Sequence, residues 1–151
     1  MEPREFVENE LVVVNHMFNR HKQLYPAVVL IKDDRRYLYP VPLSGNVQKD
    51  IVSQGIKDLV RTAKPDVVVY IAEAWMLVLK SVTDRLTTPS ESKDRIEIVV
   101  AQIEFKSGEK FGCQAKIIRE PSKVYLDKFD IIEGDTSMGR FCDFFPIKRT
   151  N

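Results

Sequence analysis

Glu73 closes an almost unbroken apolar run, Val67-Val68-Val69-Tyr70-Ile71-Ala72, and stands two residues before Trp75. A carboxyl group in such surroundings is held above its ordinary pKa by loss of water, which suits it to give or take a proton. Asp94 and Arg95 open the next extended segment; with that segment alongside, Arg95 would pair with Glu73. Glu73, Asp94 and Arg95 are therefore the catalytic candidates, and the chemistry they allow is proton transfer in a small hydrolase or transferase-like enzyme. The same residues also describe a strand-end ion pair that pins a loop, the commoner arrangement, and one that shifts pKa values too. Tyr70 and Trp75, the aromatic side chains of this run, are the candidate binding residues.

The other reactive side chains read as structural. His16 and His21 are five apart on a helical pattern and point about 140° from one another, so neither i,i+3 nor i,i+4 metal spacing is met. Cys113 alternates with Phe111 and Ala115, the pattern of a buried thiol and not of a nucleophile. Cys142 lies 29 positions further on, so there is no C-x-x-C pair, and two lone thiols suit a reducing compartment. No glycine-rich phosphate loop, dinucleotide fingerprint or H-E-x-x-H is present, so no cofactor and no metal are expected.

The chain has 151 residues, of which 44% are apolar and 30% charged, and 23 Lys and Arg against 22 Asp and Glu leave a formal charge of +1. One globular domain of this size carries a core without a metal or disulfide staple. A balanced charge with no basic cluster, and acids beside the cations in Lys32-Asp33-Asp34-Arg35-Arg36, argues against nucleic acid and makes that stretch a solvated hairpin tip. The N-terminus lacks signal-peptide order, and the longest apolar run, Val67 to Leu79, is broken by Glu73, well short of the ~20 residues of a membrane span. A cytoplasmic protein without membrane contact is the expectation.

The periodicities place these residues on elements. Val7, Leu11, Val14 and Phe18 step by four, three and four, which predicts a helix over Pro3 to Leu24. Its early glutamates (Glu5, Glu8, Glu10) and late cations (Arg20, His21, Lys22) match the helix dipole. Ala27–Ile31 and Tyr37–Tyr39 read as a hairpin whose second strand, followed by Pro40 and Pro42, is a sheet edge. A second helix follows Ser44-Gly45-Asn46 and ends at Pro65. Gly55 inside it either allows close approach to the sheet or is simply tolerated, at a cost of about 1 kcal/mol against alanine. Val67 to about Trp75 is a strand whose continuous apolarity indicates cover on both faces. Lys80–Lys93 is polar and long, an exposed loop of the kind that carries function. Ile96–Phe105 and Phe111–Ile118 form a hairpin about Ser107-Gly108. Val124–Leu126 and Phe129–Ile132 read as short helix or strand, and Phe141-Cys142-Asp143-Phe144-Phe145 is too apolar for a free end.

The result is a single α+β domain over residues 1–151, with a core to residue 126 and a docked tail over 127–151. Two helices pack on an about five-stranded, largely antiparallel sheet in the order α-β-β-α-β-β-β. Over Pro3 to Arg119 that element order resembles roadblock-type profilin-like domains, in which helices sandwich a five-stranded sheet and the third strand is an edge. Glu73-Ala74-Trp75-Met76, then Pro89-Ser90 and Asp94-Arg95-Ile96-Glu97, resemble an uncharacterised prokaryotic and phage-associated family with an E-A-W…D-R-x-E pattern. That resemblance covers the middle third of the chain and implies no activity.

An apolar third strand at an edge would invite another chain. It would be covered by a second copy, most simply in a two-fold dimer, or by the Phe141–Phe145 segment. The function expected on these grounds is a non-enzymatic binding or assembly module, self-associating or taking another protein partner. The alternatives are the enzyme built on Glu73, and a small-ligand sensor with a pocket lined from Val67–Trp75.

Overall fold

A computed structural model describes residues 2–42, 45–77, 95–134 and 142–145. The first helix, α1 (Pro3–His21), buries Val7, Leu11, Val14 and Phe18, the stripe set by its period. It stops short of Leu24 because Lys22 turns left-handed (φ 56°) and gives its N–H to the Phe18 carbonyl at 2.6 Å, a backbone cap that satisfies one orphan acceptor.

Strands β1 (Ala27–Lys32) and β2 (Arg35–Pro40) pair antiparallel from Ala27 opposite Pro40 to Lys32 opposite Arg35. The two-residue turn between them holds Asp33 and Asp34 at φ 50° and 63°, the geometry of a type I′ hairpin turn, which aspartate tolerates better than most residues. Helix α2 (Asn46–Ala63) follows, then β3 (Val67–Leu77), β4 (Arg95–Phe105) and β5 (Lys110–Glu120). The chain then runs back along β5 as β6 (Lys123–Leu126) and β7 (Asp130–Glu133), which pair with its far and near halves. These two strands, from the stretch that sequence left open between helix and strand, raise the count among the described residues from about five to seven.

Every pairing is antiparallel, and the order is β2-β1-β3-β4-β5 with β6 and β7 outside β5. β3 is therefore not an edge: it pairs with β1 on one side and over its whole length with β4 on the other. Over Val67–Ile71 the strand is thus central, whereas Ala72–Leu77 pairs with β4 alone among the described strands, and β2 is an edge as its prolines indicate.

The sheet is covered on both faces. On one side α1 packs Val7, Leu11, Val14 and Phe18 onto Val29, Val69, Ile71, Val99, Ile103 and Phe111. On the other, Ile56 and Val60 of α2 pack onto Val28, Leu30 and Val68, joined by Phe144 from the tail. Each such aliphatic or aromatic side chain contributes about 1.5–3 kcal/mol when fully buried. Gly55 faces solvent with nothing within 4 Å of an added Cβ, so it is tolerated and does not mark a close approach. Among the described residues no helix is long and apolar enough to cross a membrane. The Lys80–Lys93 loop lies outside the described residues.

Candidate functional site

The antiparallel register decides which candidates meet. Glu73 stands opposite Val99, Trp75 opposite Glu97, and Leu77 opposite Arg95. The backbone of Arg95 is thus four residues along from that of Glu73, about 13 Å at the rise of a strand. Asp94 lies outside the described residues. Trp75 shares a face with Glu73, whereas Tyr70, opposite Val28, belongs to the other face beside Val52 and Leu59. Tyr70 and Trp75 therefore do not form one binding surface, because an odd separation along a strand puts side chains on opposite sides.

Glu73 is engaged by residues that sequence did not pair with it. Its carboxylate accepts the Leu24 N–H and has Arg119 as its neighbouring cation, while Glu97 opposes its charge. Arg119 is held by Glu97 through a fork of 2.6 Å and 3.3 Å. Burial outweighs the help from Leu24 and Arg119 and leaves the Glu73 carboxyl above the usual glutamate range. Leu24 belongs to the 22–26 segment, which joins α1 to β1, and Glu73 is itself an exposed residue there.

Leu24 also lines an open concavity of about 320 Å³. Met17, Leu24, Tyr25, Pro26, Leu38 and Pro40 make most of its wall, and Arg20, His21 and Gln23 supply its polar groups. Tyr25 is 62% exposed and Leu38 52% exposed, a large apolar exposure for two neighbours on one wall. The Tyr25 hydroxyl is oriented by the Gln23 amide, which donates to it at 2.9 Å. Among the described residues no side chain pairs with Arg20. The sheet-side wall is steadied from α1: Arg36 forks onto the buried Glu10 carboxylate, one arm at 2.8 Å. Arg36, itself exposed, thus ties β2 to the buried Glu10 of α1, a role beyond that of a solvated hairpin tip.

A second feature lies on the opposite face. The Glu104 carboxylate, in a residue only 2% exposed, accepts the backbone N–H groups of Asp143 (2.8 Å) and Phe144 (3.0 Å). Asp143 is left-handed at φ 54°, a conformation that turns successive N–H groups toward one anion. Its own carboxylate pairs with Lys110, which holds it below the usual aspartate range. Cys142 and Phe144 are buried, so this part of the tail docks. The seat is α2 and the β1–β3 face, and not a strand edge.

No family model, no curated protein and no solved structure matches the chain. The class of molecule is set by its fold alone, which among the described residues is a seven-stranded antiparallel sheet between two helices, and function is argued from the sites.

Proposed function

We propose that the protein is a non-enzymatic binding module whose working site is the concavity between the end of α1, the 22–26 segment and β2. The ligand class is a small molecule with an apolar body and a polar or anionic end. The observation that carries this reading is the 320 Å³ concavity itself, whose volume is within the ordinary range of ligand sites, roughly 300–1,000 Å³. Its apolar wall would receive the ligand body, and Arg20, His21 and the Gln23–Tyr25 pair would orient the polar end. Glu73 acts as a positioning residue, holding Leu24 in the wall through its N–H. The small-ligand alternative thus moves from the Val67–Trp75 strand to the α1–β1 junction. The buried thiols Cys113 and Cys142, which form no disulfide with one another, suit a reducing, cytoplasmic setting.

The test is an amide-shift titration of the labelled protein with octanoate and with octanol. Saturable shifts are expected at Leu24, Tyr25, Ala27 and Leu38 for both probes, and their loss in Leu38→Glu. No saturable shift at millimolar probe, or shifts gathered on another face, would overturn the proposal.

A further inference from the structure

The polar side chains around the α1–β1 concavity are donors far more than acceptors. Arg20 offers five N–H groups and no acceptor, and among the described residues no side chain pairs with it. The Gln23 amide donates to the Tyr25 hydroxyl oxygen at 2.9 Å, which leaves the phenolic proton to be given elsewhere. His21 adds at least one ring N–H. Against these stand the Gln23 amide oxygen and, when His21 is neutral, one ring nitrogen. Among the described residues of the wall there is no Asp or Glu. The acid that reaches the wall, Glu73, does so through the Leu24 N–H and has Arg119 as its neighbouring cation. Arg20 and His21 stand in the last turn of α1, the end of a helix that carries about half a negative charge. A full guanidinium charge outweighs it.

We infer that the polar end of the ligand is a carboxylate, so that the site takes a small apolar monocarboxylic acid as its anion and ranks the matching alcohol and amine below it. This assignment rests on the concavity being the binding site, and adds to it the head group and the residues that select it. Arg20 supplies the charge and the paired N–H groups that a carboxylate accepts as a fork. Tyr25 supplies one further O–H, oriented by Gln23. The body of the acid lies against Met17, Leu24, Leu38 and Pro40. An alcohol can use the Tyr25 donor but gains nothing from the charge. An ammonium group has no lone pair to offer and meets Arg20 as a like charge.

The test titrates octanoate, octanol and octylammonium into the full-length protein at neutral pH, in about 0.1 M salt, where the Debye length is about 10 Å. Octanoate is expected to bind roughly tenfold tighter than octanol, since hydrogen bonds to an ionised acceptor are about twice as strong as neutral ones. Octylammonium is expected to bind more weakly than either. Arg20→Gln, at an exposed position that leaves the fold intact, should cost octanoate about that factor of ten. Tyr25→Phe, which removes the hydroxyl alone, should cost it about threefold. Arg4→Gln removes the same charge from the other end of α1, about 24 Å away at 1.5 Å per residue. Its effect on octanoate should stay within about twofold, because that separation exceeds two Debye lengths. Equal affinities for octanoate and octanol, or equal losses in Arg4→Gln and Arg20→Gln, would overturn the carboxylate assignment and leave the concavity as an unselective apolar site. Octylammonium binding tightest would overturn it as well. No saturable binding by any of the three would overturn the site itself, and the assignment with it.

Discussion

Removing the Glu104 carboxylate tests how the tail is held. In Glu104→Ala the N–H groups of Asp143 and Phe144 lose acceptors at 2.8 and 3.0 Å, and the second of these bonds is buried. A buried donor left without a partner costs about 1–3 kcal/mol, and a hydrogen bond to a charged group contributes about 1.5–3 kcal/mol. Against this stands relief from burying a carboxylate, the cause that pushes the Glu104 carboxyl above its usual range. The balance is a loss of about 2–3 kcal/mol of docking, which means an undocked population about 30- to 150-fold larger. Cys142 reports it directly, being buried beside Asp143 in the docked segment. Its alkylation, compared per thiolate because burial and the Asp143 and Glu104 charges hold the Cys142 thiol above its usual range, should accelerate by that factor. Cys113 sits on the opposite face of the sheet with its thiol pushed up to about 12 by burial and serves as the unreactive internal control. Glu104→Gln, which keeps the shape and one acceptor oxygen, should fall between. A Cys142 rate in Glu104→Ala within about threefold of wild type, well under 1 kcal/mol, would refute the reasoning that the carboxylate holds the segment.

Three further outcomes are expected. Gly55→Ala should raise stability by about 0.5–1 kcal/mol in urea unfolding, since the position is an exposed helix interior with free space around it; a loss would show hidden crowding. Arg36→Ala should cost about 1–3 kcal/mol by leaving the buried Glu10 carboxylate without its forked donor, and an unchanged unfolding midpoint would contradict the pairing. NMR titration should place Glu73 above the ordinary glutamate range, because burial dominates, and Asp66 below the ordinary aspartate range, because Lys106 and the Asp33 N–H hold it ionised. The raised Glu73 value means that its contribution to stability is complete below the ordinary range and is lost as pH rises through the folded value. The lowered Asp66 value means the reverse: its contribution is present above the ordinary range and lost as pH falls through the folded value. Either midpoint on the wrong side of the ordinary range for its side chain would overturn that assignment.

The helices and the two hairpins were legible because their apolar residues keep a single period, and Val7, Leu11, Val14 and Phe18 are buried as that period requires. The Val67–Ala72 run carried the correct message for β3, cover on both faces, which a central strand has. The edge position came instead from element order, and element order does not determine which strands pair. For Glu73 the sequence placed the charge correctly at the emerging end of an apolar strand. It could not supply the partners, since Leu24, Glu97 and Arg119 are brought there by strand register and by the turn after α1. Glu104 was missed, although two signals existed: an acid on the inward alternation of β4, and an aromatic tail in need of a seat. Neither signal names the other, because the contact closes across 39 and 40 residues.

The central claim, that the α1–β1 concavity receives a small amphipathic ligand, is tested most directly by intermolecular NOEs to bound octanoate. The account predicts contacts from the alkyl protons to the Leu38 methyls, the Tyr25 ring and the Met17 methyl, with the carboxylate end nearest Arg20. Contacts gathered instead on another face, or none under saturating ligand, would contradict it.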